Sequence, residues 1–116
     1  MHNFKKLEVW QKGIDLVVSV YETTRQFPDT EKFHLVTQMQ RAATSIPLNI
    51  AEGCGRGTNP VLKQFLGHAL GSAFELETQI IVCKKLGYIN QPSEEKLINE
   101  VSSIQRMLHR FIDNVS

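Results

Sequence analysis

Four runs of apolar residues at alternating steps of three and four, divided by three breaks, constrain this 116-residue chain more than any other feature. In the first run, Leu7, Trp10, Ile14, Val17 and Tyr21 fall on one helical face between about Leu7 and Arg25. "FPDTE" interrupts the pattern at Pro28, and Asp29 or Thr30 suits the cap of a second helix. That helix is expected over about Glu31 to Glu52, with Leu35, Met39, Ala42, Ala43, Ile46 and Ile50 turned to a core. "GCGRGTNP" breaks the chain again; Asn59 is expected as a cap and Pro60 as a first helical position. The third run reaches about Leu86 with Leu62, Leu66, Ala69, Ala73, Leu76, Ile80 and Cys83 on one seam, and Gly87 suits a C-terminal stop. After "YINQPS", Ser93 is expected to cap a fourth helix carrying Leu97, Val101, Ile104, Leu108, Phe111 and Val115. No segment alternates with period two. The expectation is one all-α domain over residues 1–116, an up-down antiparallel four-helix bundle whose second and third helices are the longest.

Composition narrows the function classes. A chain of this length buries a real core without metal or disulfide staples, and 41% hydrophobic residues is too many for a disordered one. The net charge of +1 gives no overall pull toward nucleic acid or membrane, so any basic surface has to be local. Cys54 and Cys83 form no CxxC pair and read as reduced thiols of a cytoplasmic protein. "MHNFKKLEVWQKG" lacks the apolar run of a signal peptide, and no stretch approaches the ~20 apolar residues of a membrane span.

The second segment poses a problem, because Pro47 and Asn49 lie in its middle and both weaken a helix interior. At about 100° per residue its core residues cover one arc. Gln38, Arg41, Ser45, Asn49, Glu52 and Arg56 share a second, narrow arc if the helix runs to its end. Thr37, Gln40, Thr44, Pro47, Leu48 and Ala51 form a third arc of small or weakly apolar groups. An outer helix of a simple bundle carries long charged side chains away from the core, and this one has few. The segment therefore reads as packed on more than one side, with Pro47 either kinking or splitting it.

Chemical constellations are scarce. "GCGRG" has spaced glycines, but no strand precedes it and the GK[ST] ending of a P-loop is missing. His34, His68 and His109 lie on different helices; His109 and Asp113 are one turn apart without an evident third metal ligand. Glu75 and Glu77 lack the Glu-x-x-His partner of di-iron bundles. Arg106 and His109 are too close for the R-x4–6-H pattern of HEPN-type RNases. Cys54 sits beside glycines and Arg56, which favours a lowered thiol pKa, but no base is placed by sequence. No enzyme, cofactor or metal site is expected.

"LEVWQKGIDLVVSVYETTRQFP", "QMQRAATSIPLNIAEGCGR" and "ALGSAFELETQIIVCKKLGYI" resemble successive motifs of a four-helix-bundle family. It is named after proteins encoded in intervening sequences of bacterial 23S rRNA genes. The resemblance runs from Phe4 to about Ile112 and is most specific at Ser45-Ile46, Asn49 to Gly53, Gly71-Ser72 and Glu75 to Glu77. Gln40 departs from it, since the family commonly has a second arginine before Arg41; the loss of that charge argues against a phosphate site there. The resemblance implies a bundle assembling as a ring-like homopentamer, with no established enzymatic activity and, for some related bundles, nucleic-acid binding.

Two functional classes follow. One is a structural or adaptor homo-oligomer, with Gln38, Arg41, Ser45, Asn49, Glu52 and Glu75 as a polar network at or beside an interface, and an Arg41–Glu75 pair, within a subunit or across subunits, as its specific contact. The other is a nucleic-acid-binding oligomer using Arg56, Lys63, Lys84 and Lys85, with weak, salt-sensitive affinity because few phosphates are neutralised per chain. No small-molecule substrate and no membrane partner are evident. Acids interleave elsewhere, including Glu94, Glu95 and Glu100, so no face of the fourth segment is expected to be basic.

Overall fold

The computed structural model describes residues 2–116. Four helices account for most of them: α1 (Glu8–Thr24), α2 (Leu35–Gly55), α3 (Asn59–Lys85) and α4 (Gln91–Asn114). Single turns of 3-10 helix stand at Phe4–Lys6 and Asp29–Glu31. Each helix packs on the next, most extensively α2 on α3, and α4 returns against α1. The result is an antiparallel bundle measuring 44 × 24 × 20 Å, with no strand among the described residues.

Helix ends follow local chemistry, with three departures from expectation. Asp29 and Thr30 do not cap α2: they join the 3-10 turn after Pro28, and α2 begins after His34 without a side-chain cap. Ser93 is not the cap of α4; Asn90 is, its side-chain oxygen accepting the Ser93 N–H at 2.9 Å, with Pro92 in the first turn. Asn59 is already helical behind Thr58, which makes no side-chain cap hydrogen bond. Gly87 ends α3 at φ +81, a conformation that disfavours any side chain. The longest helices are α3 with 27 residues and α4 with 24, not the second and third.

Packing confirms three of the four seams. Leu62, Leu66, Ala69, Ala73, Leu76, Ile80 and Cys83 of α3 are buried, as are Leu97, Val101, Ile104 and Leu108 of α4. In α2, Met39, Ala42, Ala43, Ile46 and Ile50 are buried, joined by Val36, Pro47 and Cys54. The first helix is rotated from its expected seam. Val9, Gly13, Leu16, Val20 and Thr24 face the core, whereas Ile14 and Tyr21 are 38% and 42% exposed. Both sets have helical spacing, and only contact with α2 and α4 selects between them.

Pro47 has a structural explanation. Helix α2 continues through it without splitting. Its ring is buried against α1, where a Cβ built on Gly13 would stand 3.5 Å from Pro47 Cβ and 3.6 Å from its Cδ. The two helices meet over the ring, with room for no more than a small side chain at Gly13, and burial offsets the lost amide hydrogen bond.

A side-chain hydrogen bond pins every seam. Gln40 donates to Thr24 Oγ1 at 3.3 Å between α2 and α1, and Gln105 to Glu77 at 2.8 Å between α4 and α3. Ser19 donates to Glu100 at 3.2 Å between α1 and α4. The α2–α3 seam holds the residues with functional expectations.

Candidate functional site

Small residues bring α2 and α3 close. A Cβ on Gly53 would lie 2.9 Å from Phe65 Cβ and 3.3 Å from the Leu62 carbonyl oxygen, so only glycine fits without displacement. Midway along the seam, the hydroxyls of Ser45 and Ser72 share a hydrogen bond of 2.7 Å. Asn49, one turn along α2, donates its amide to Ser45 Oγ and to the Ser45 carbonyl, both at 2.8 Å. This half-buried triad favours one register: sliding α3 by one turn would break the Ser45–Ser72 bond and leave Ser45 with only its Asn49 contact. Two of the polar positions expected from the sequence, Ser45 and Asn49, therefore converge, and Ser72 joins them from α3.

The remaining members of that expected network separate. Arg41 and Glu75 are exposed, and no ion pair joins them within the chain among the described residues. The Ser45–Ser72 contact sets them at the same height, but each lies on the outer edge of its own helix. Glu52 pairs instead with Arg56 at 3.2 Å, one turn along, with both side chains more than half exposed. Arg56 also lies over the Phe65 ring, 5.3 Å from its centroid. Gln38 is exposed, and the residue facing its register position, Gln79, keeps a buried Oε1 without a partner. The sequence reading missed Gln79 because a glutamine on a helix flank carries no signal of burial.

The basic candidates do not gather into one patch. Arg56 and Lys63 stand at the α2–α3 turn, whereas Lys84 and Lys85 occupy the last turn of α3. A helix of 27 residues separates these ends by roughly 40 Å.

Neither cysteine is activated. Burial pushes the Cys54 thiol up, opposite to the lowering expected from the sequence. Burial, reinforced by the Glu31 charge, pushes Cys83 up to about 11. Its thiol donates to Met39 Sδ at 3.3 Å. Two histidines lie against aromatic rings: His68 edge-on to Phe65 at 5.7 Å, and His109 tilted against Phe74 at 6.2 Å between centroids. Among the described residues no three His, Cys, Asp or Glu side chains are grouped as metal ligands, and no helix is long and apolar enough to cross a membrane.

Short loops, four antiparallel helices and polar ties at each seam define a four-helix-bundle protein. The sequence model described as 23S rRNA-intervening sequence protein matches residues 5–110, and the chain belongs to that family. A crystal structure of a protein of unknown function from the S23 ribosomal protein family of Bacteroides thetaiotaomicron has the same fold. Its TM-score is 0.84 at 23% identity, over 91% of this chain and 96% of that one. No curated protein matches the sequence.

Proposed function

We propose that this protein is a non-catalytic homo-oligomeric module, a structural or adaptor ring whose surface engages another macromolecule in the cytoplasm. The observation that carries the reading is an apolar, uncharged face that the single chain leaves uncovered. Ile14, Val18 and Tyr21 of α1, with Leu48 of α2, are between 38% and 67% exposed. Between Arg41 and Glu52, α2 carries no charged residue. Exposed apolar side chains on two adjacent helices support the reading of an interaction surface. The ring form and the number of five copies follow from the family resemblance.

Sedimentation or light scattering at micromolar concentration tests the assembly: a mass of several chains is expected, and a monomer overturns the proposal. Capture of partners from cells, with and without nuclease, tests what the ring engages. Retention of partners after nuclease supports the adaptor role; loss of all of them favours nucleic acid. That second role has weaker support, since Arg56 is engaged by Glu52 and Phe65 and the four basic candidates lie at opposite ends of α3.

A further inference from the structure

The outer edges of α2 and α3 have features that the isolated chain does not use. On α2, Leu48 is 67% exposed, and Arg41, two turns earlier on the same edge, has no charged partner among the described residues. On α3, Gly67, Gly71 and Glu75 follow one another at four-residue steps and are all exposed. A Cβ added to Gly67 or Gly71 would meet nothing within 4 Å. Glycine inside a helix destabilises it relative to alanine, so two in open space on one edge are unexplained by the fold of a single chain.

The Ser45–Ser72 hydrogen bond fixes the relative height of these groups. Counting three residues on from Ser45 and three back from Ser72 sets Leu48 level with Ala69, between Gly67 and Gly71. Counting three residues the opposite way sets Ala42 level with Glu75, with Arg41 one residue further back along α2. The spacing from Arg41 to Leu48 equals the spacing from Glu75 back to His68. One antiparallel register therefore matches a projecting side chain to a gap and a cation to an anion at once.

We propose that, in the oligomer put forward above, the outer edge of α2 in one copy packs against the outer edge of α3 in the next. Leu48 seats over the Gly67–Gly71 surface, and Arg41 pairs with Glu75 of the neighbouring copy. The occupant is a second copy because both halves of the complementary surface belong to this chain at matching heights. The two edges are different surfaces, so the contact is head-to-tail. As α2 and α3 are adjacent corners of the bundle, their edges point about a right angle apart, and repetition closes after a handful of copies instead of extending as a fibre.

Charge exchange tests the contact. Arg41→Glu and Glu75→Arg are each expected to weaken association roughly tenfold or more, and the double variant to restore it, as read by sedimentation velocity. Gly71→Ala is expected to raise the melting temperature of dilute, dissociated chain while weakening assembly, a divergence that a purely intrachain role would not produce. Circular dichroism confirms that each variant remains helical. Unchanged mass in both single variants, or no recovery in the double, overturns this interface and leaves oligomerisation standing. A wild-type chain monomeric throughout the micromolar range overturns the oligomer itself.

Discussion

Helix α1 and the α2–α3 seam use similar apolar residues at similar spacing, but they differ in how far the sequence alone defines their packing. On α1, Leu16 and Val20 lie on one face and Ile14, Val18 and Tyr21 on another, and each set looks like a core stripe. On α2 and α3, alanine and glycine cluster where the backbones approach, and the serine pair fixes one register. An amphipathic pattern indicates that a helix has a buried face; close contacts of small and polar residues identify that face uniquely.

The sharpest test of this contrast is on α1. Leu16→Ala should lower the unfolding free energy by about 2–5 kcal/mol, as expected for a fully buried side chain. Ile14→Ala, two residues away, should lower it by less than about 1 kcal/mol in the dissociated chain, measured by urea titration. Equal losses would return Ile14 to the core and erase the difference between the two stripes.

On the seam, Gly53→Ala should destabilise by about 1–3 kcal/mol, because the new Cβ meets Phe65 Cβ at 2.9 Å and α3 must move. The same substitution at exposed Gly71 of the dissociated chain should instead stabilise, by up to about 1 kcal/mol. Thermal melts of the two variants therefore move in opposite directions. Ser72→Ala, which leaves Ser45 with only its Asn49 contact, should cost about 1 kcal/mol.

A last comparison appears only in alkali. The folded Cys83 thiol titrates near 11, against 9.0 for an unperturbed one. Above pH 9 the unfolded chain releases a proton that the folded chain retains, so stability should fall between about pH 9 and 11 and be unaffected at neutral pH. Melting temperatures of Cys83→Ala should decline less steeply over that window, with the residual slope including Cys54, whose thiol is also raised. Identical slopes would mean that Cys83 ionises as freely in the fold as outside it.

Sequence periodicity and its glycine and proline breaks determined four helices, their approximate limits and three of the four core seams, because those properties depend on residues close along the chain. The same local logic identified Ser45 and Asn49 as structural polar positions. Tertiary contact decided the rest. Which stripe of α1 turns inward is decided by its contacts with α2 and α4, among them Pro47 packed beside Gly13, two residues far apart in sequence. Arg41 and Glu75 reach the same height without pairing in the chain, since height follows from register but side-chain direction follows from the corner of the bundle that each helix occupies. Cys54 has its thiol pKa raised rather than lowered because the packed bundle desolvates it, and that burial is not visible in the neighbours that the sequence displays.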